Sequence, residues 1–146
     1  KTHLSGDKLN SNGTVRGAEL FEYADVAGYT FCNEKFLLHR PDLMVATNNA
    51  DFKFLGPAYA YGFVEVFAEV GEVTPARIDV RIKMMVRDNK DSEWRDCLRG
   101  TFSFTVISRE TRKIHRLTKE EMYVVCHELV PTIVGIERSK QLDKAR

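Results

Sequence analysis

Three stretches of the chain alternate apolar and polar residues with a period of two. Between Phe63 and Val70, Val64, Val66, Ala68 and Val70 fall on one side, and Glu65, Phe67 and Glu69 fall on the other. Between Ala76 and Val86 the division is cleaner: Ile78, Val80, Ile82, Met84 and Val86 oppose Arg77, Asp79, Arg81 and Lys83. From Arg99 to Ser108, Phe102, Phe104 and Val106 oppose Thr101, Ser103 and Thr105. Successive strand side chains point to opposite faces, so this pattern predicts an antiparallel sheet with one face buried and one solvated. Leu43–Phe52 reads as a further strand with polar positions near its end, broken by Phe54-Leu55-Gly56-Pro57. Asp88-Asn89-Lys90-Asp91 is a turn cluster.

A different pattern precedes the strands. The polar, glycine-containing stretch from Asn10 to Ala18 leads into Glu19–Cys32, which is apolar nearly all round. That predicts a helix over residues 17–32, enclosed on most sides by other structure. Near the C-terminal end, Thr118–Leu142 reads as a second helix. Thr118 suits the N-cap and Glu121 completes a capping box, while Pro131 kinks or interrupts the helix. One enclosed helix before a run of long strands gives an α+β layout, with a sheet of at least five strands wrapped round that helix. At 146 residues the chain is read as one domain, with a core over about residues 9–117 and a helical extension over about 118–142.

Composition narrows the classes of function. The 43% hydrophobic and 29% charged residues are ordinary for a soluble globular protein. A net charge of +1 gives no bulk attraction to nucleic acid or to a membrane surface. No apolar run approaches the roughly 20 residues that span a bilayer. Three cysteines, Cys32, Cys97 and Cys126, do not make a disulfide framework, and a reducing, cytoplasmic setting is expected. His3, His39, His115 and His127 are scattered, so no metal site is expected.

The candidate chemistry begins with Asp25, a carboxylate inside an apolar helix, where a charge is costly unless hydrogen-bonded or used. Capping of a loop or pairing with an arginine is the alternative role. Gly17 and Ala18 stand at the helix entry, where backbone N–H groups lack intrahelical partners and can hold a developing negative charge. Asn10 and Asn12 can orient water or a carbonyl, or can simply cap the helix. Arg109–Lys119 carries five basic residues and one acid. It is either a solvated turn or a phosphate-binding segment, with Arg109, Arg112, Lys113 and Arg116 as the candidates. Cys32, in its apolar helix, is a poor nucleophile because burial raises a thiol pKa.

In this arrangement the chain resembles the hotdog-fold acyl-CoA thioesterases, in particular the bacterial and cytosolic acyl-CoA hydrolase branch. Asn10-Ser11-Asn12-Gly13-Thr14-Val15-Arg16-Gly17-Ala18 is similar to the family's N-x-x-G-x-x-x-G-G, with Arg16-Gly17-Ala18 where His-Gly-Gly is usual. Ala24-Asp25-Val26-Ala27-Gly28 matches its M-D-x-A-G, Phe54-Leu55-Gly56-Pro57 its F-L-x-P, and Gly100–Val106 its last strand. The resemblance covers roughly residues 9–117. It implies hydrolysis of acyl-CoA thioesters to coenzyme A and a carboxylic acid, with Asp25 as general base or nucleophile. Gly17 and Ala18 are then the oxyanion donors, and Asn10, Asn12 and Thr14 are helpers. No cofactor beyond the coenzyme A of the substrate is required. A homodimer, or a tetramer or hexamer, with sites between chains is expected. A non-catalytic acyl-CoA or acyl-carrier binding module is the second reading, and a hotdog hydratase, which would want a histidine in the site, the third.

Overall fold

The computed structural model describes residues 15, 17–59, 62–128 and 132–138. Helix α1 spans Gly17–Lys35, followed by a short 3-10 turn at Leu37–His39. Four strands come next: β1 (Leu43–Phe54), β2 (Phe63–Thr74), β3 (Arg77–Arg87) and β4 (Arg95–Ser108). Helix α2 (Lys119–Glu128) and strand β5 (Thr132–Arg138) complete the described chain. The sheet is antiparallel with strand order β1-β4-β3-β2-β5. The three alternating segments therefore form a central meander, and β1 and β5 are its two edges.

The alternation decides which face of that meander is dry. Val64, Val66 and Ala68 on β2, Ile78, Val80, Ile82, Met84 and Val86 on β3, and Phe102, Phe104 and Val106 on β4 are all buried. Helix α1 covers this face with Leu20, Ala24, Ala27, Phe31 and Cys32, which recur every three or four residues along one side. A Cβ placed on Gly28 would lie 3.2 Å from the rings of both Phe102 and Phe104. The helix comes this close to β4 because position 28 has no side chain. Phe21 of α1 meets the rings of Phe52 and Phe102 at 5.5 Å each, and those two rings lie 4.6 Å apart. Phe52 reaches that position because Gly100 stands opposite it on β4, where a Cβ would collide with the Phe52 ring and the Asp51 carbonyl oxygen.

Two expectations are corrected. Helix α1 is not enclosed: Ala18, Glu22, Val26 and Tyr29 form an exposed stripe, with Val26 57% and Tyr29 39% exposed. One sheet can cover only one side of a helix, and among the described residues nothing else covers the other. The second helix ends at Glu128 rather than running to residue 142, and Thr132–Arg138 is a strand paired with β2. The capping box expected at its start is present: the Glu121 N–H donates to Thr118 Oγ1 (3.1 Å), and the Thr118 N–H donates to Glu121 Oε1 (2.9 Å). Pro131 and the β-branched Thr132-Ile133-Val134 explain the change from helix to strand.

Candidate active site

Asp25 lies two turns into α1, between the buried side of the helix and its exposed stripe, and is itself half-buried. Thr47 Oγ1 donates to Asp25 Oδ1 at 3.5 Å. Thr47 belongs to β1, beside the break in register between Thr47 and Asn49. β1 pairs on one side with β4 and lies at the edge of the sheet. Its residues from Ala46 to Asp51 are exposed. The carboxylate thus sits at an open sheet edge, bordered on its own helix by Val26 and Tyr29. Thr47 was not singled out in the sequence; the polar run Thr47-Asn48-Asn49 directly after the apolar Leu43-Met44-Val45-Ala46 is the signal that marks it.

Gly17 and Ala18 occupy the first turn of α1, as the helix-entry reading requires. A Cβ on Gly17 would lie 3.2 Å from the tip of the Phe54 ring, so the far end of β1 closes over this turn. Eight residues at about 1.5 Å each put the helix entry about 12 Å from Asp25 along the axis. One chain therefore does not bring its own Gly17–Ala18 amides and its own Asp25 to one reacting carbon. Asn10, Asn12 and Thr14 lie outside the described residues.

The basic segment follows β4. Arg109, Arg112, Lys113 and Arg116 are all exposed, on a tight turn in which the Arg112 N–H donates to the Ser108 carbonyl and Arg112 has φ 63°. Arg112 reaches Met44 Sδ at 3.7 Å. Met44 is about 10 Å along β1 from Thr47, three residues at about 3.3 Å each. Its neighbours Leu43 and Val45 point to the helix side, so Met44, and with it Arg112, lies on the opposite face. Arg112 is thereby turned away from its own Asp25.

Other titratable groups are structural. Burial pushes the Cys32 thiol up to about 12, so it is no nucleophile near neutral pH. Burial raises Cys97 to about 11 despite the nearby Arg95 charge. Glu121, in contrast, is held down. Partial burial pushes its carboxyl up, but the Thr118 N–H, Arg40 and His115 outweigh that and hold it at about 2. Arg40 contacts it at 2.6 Å and His115 at 3.0 Å, which clamps the start of α2 to the turn before β1. Among the described residues no group of three or more His, Cys, Asp and Glu is placed to hold a metal, and no helix is long and apolar enough to cross a membrane.

No family model and no curated relative matches the chain by sequence. Solved structures do match by shape. A hexameric thioesterase from Yersinia pestis aligns with TM-score 0.63 and 20% identity, over 81% of this chain and 91% of that one. A hexameric hotdog-fold thioesterase of Campylobacter jejuni aligns with TM-score 0.68 and 16% identity, over 84% and 90%. An acyl-CoA hydrolase from Agrobacterium tumefaciens aligns with TM-score 0.60 and 17% identity, over 77% of this chain but only 42% of that one. At these identities the likeness establishes the fold, and the chain has the hotdog fold.

Proposed function

We propose that the chain hydrolyses acyl-CoA thioesters at a site completed by a second copy of itself. The observation that carries the reading is the setting of Asp25. It is a half-buried carboxylate on α1 of a hotdog fold, held toward an open sheet edge by Thr47, and bordered by an exposed stripe containing Val26 and Tyr29. Exposed apolar side chains such as Val26 and Tyr29 on one helix face are what a partner chain or an acyl group covers. The 12 Å between Asp25 and the helix entry supports sharing of the site: Asp25 of one copy then faces the Gly17–Ala18 amides of the other.

In that site Asp25 takes a proton from water as the water oxygen adds to the thioester carbonyl carbon. The alternative is that its carboxylate adds directly and the resulting anhydride is hydrolysed. The two backbone N–H groups at Gly17 and Ala18 hold the tetrahedral oxyanion, and loss of one such donor typically costs ~10²–10³ in rate. Collapse of the intermediate expels the thiolate of coenzyme A, which is protonated, and leaves the carboxylic acid. Arg109, Lys113 and Arg116 are the cations offered to the coenzyme A phosphates, with Arg112 contributing only if the partner's face brings the ligand round to it.

The test is thiol release from a panel of acyl-CoA esters by the parent and by Asp25→Asn. The variant keeps the size of the side chain and its bond to Thr47. Hydrolysis is expected to fall by about 10²-fold or more, the usual scale for a positioned base, with acyl-CoA binding retained. Equal rates in both proteins would make Asp25 structural. Micromolar binding of acyl-CoA with no hydrolysis by the parent would instead identify an acyl-CoA or acyl-carrier binding module.

A further inference from the structure

The face of the sheet away from α1 carries charges in ordered cross-strand rungs. On one rung Asn49, Ser103 and Asp79 stand opposite one another, and Ser103 Oγ donates to Asp79 Oδ1 at 2.7 Å while Arg77 pairs with the same carboxylate at 3.1 Å. On the next, Asp51, Thr101, Arg81 and Glu69 are aligned, with Arg81 and Glu69 paired at 2.9 Å. Both rungs match cations with carboxylates. The third does the reverse. Lys53 faces Arg99, Arg99 faces Lys83, and Lys83 faces Phe67.

Three like charges directly opposite one another across adjacent strands are destabilising. Among the described residues Arg99 is relieved only within its own strand, by Asp96 at 3.1 Å, a largely exposed pair. Lys83 is half-buried, and neither it nor Lys53 has an ion-pair or hydrogen-bond partner among the described residues. Above this rung lies an open concavity of about 560 Å³, lined by Phe67, Glu69, Arg81, Lys83, Arg99 and Thr101. Its side chains put three cations against one carboxylate, with an aromatic ring at one end. The volume is that of a small-molecule site. Strained cations beneath a concavity are an unmet demand for an anion.

We propose that this outer face binds a small phosphorylated molecule bearing an aromatic or apolar group, with the phosphate on Arg99 and Lys83 and the apolar part against Phe67. Arginine presents a planar fork that suits a phosphate, and lysine adds a mobile point charge. Glu69 and Asp51, on the neighbouring rung, bound the basic strip and disfavour a long polyanion running across the sheet. This site lies on the opposite side of the sheet from Asp25 and does not depend on the thioesterase reading.

Phenyl phosphate and inorganic pyrophosphate are the probes, titrated calorimetrically into the full chain at low ionic strength. Phenyl phosphate is expected to bind with a Kd below about 1 mM. Lys83→Gln with Arg99→Gln should weaken it at least about tenfold, and Asp25→Asn should leave it unchanged. Phe67→Ala should weaken phenyl phosphate and spare pyrophosphate. Without ligand, the Lys83→Gln/Arg99→Gln protein should melt at or above the temperature of the parent, because repulsion has been removed. The proposal is overturned if the parent binds neither probe, if the double variant binds phenyl phosphate as well as the parent, or if that variant melts lower. It is equally overturned if a duplex oligonucleotide binds more tightly than phenyl phosphate, or if the double variant has a smaller oligomeric mass, which would make the face an interface between copies.

Discussion

At the scale of single residues, burial separates chemistry that is present from chemistry that is usable. Cys32 lies seven residues after Asp25 on α1 and is fully buried, with its thiol pushed up to about 12; Cys97 is buried as well and raised to about 11. Cys126 is exposed on α2. A thiolate is the reactive form, so a native protein at pH 8 should show one fast-reacting thiol toward a disulfide reagent, and three after denaturation. Fast reaction of Cys32 in the native protein would contradict the packing of α1 on the sheet. Asp25 shows the opposite case. Its sequence setting read as a carboxylate enclosed by apolar residues, whereas the side chain lies at the margin of an exposed stripe. Periodicity cannot separate these, because Ala18, Val26 and Tyr29 are apolar although none of the described residues covers them.

At the scale of elements, most of the sheet was legible because each meander strand buries one face and wets the other, which writes a period of two into the chain. Strand β5 was not legible. Its residues follow a well-formed helix start, and what makes them a strand is the unpaired side of β2, 64 to 75 residues away in sequence at the aligned positions. The start of α2 was readable because a capping box is a local device. The same Glu121 that completes it also binds Arg40 and His115, so its charge supports the junction between α2 and the turn before β1. The folded value of about 2 lies below the ordinary 4.5, so this stabilisation is complete above about pH 4.5 and is lost as pH falls toward 2. Glu121→Gln should therefore lower stability at pH 7 by on the order of 1–3 kcal/mol. The parent and variant unfolding curves should converge near pH 2. A difference that persists unchanged at pH 2 would place the effect elsewhere than in the carboxylate charge.

At the scale of the whole molecule, β1 is twelve residues long and paired on one side only among the described residues, and α1 leaves an exposed stripe with Val26 and Tyr29 beside it. Open strand edges are ready templates for pairing, and folded proteins pair, cover or blunt them. A chain of 16.7 kDa should accordingly show a mass of at least twice that by light scattering at micromolar concentration. A monomer would remove the shared site along with the dimer. The candidate site was only partly readable for the same reason. The helix entry and the acid could be found along the sequence, but their separation on one helix shows that no single chain brings them together. The basic loop read as a solvated turn or a phosphate-binding segment, and the fold turns Arg112 to the other side of the sheet from Asp25.

The strand order β1-β4-β3-β2-β5 also sets a timetable. β2, β3 and β4 are joined by short turns and can pair as soon as they are made, and β1 is already waiting for β4. The flank of β2 is different: its partner is the last described element to leave the ribosome. Domains emerging N-terminus first expose unpaired edges for as long as the missing strand is unsynthesised. Throughout the translation of α2, the nascent sheet has two sticky sides rather than one. A chain halted after Glu128 would keep both and should pass into aggregates, while the chain carried through Arg138 closes one of them.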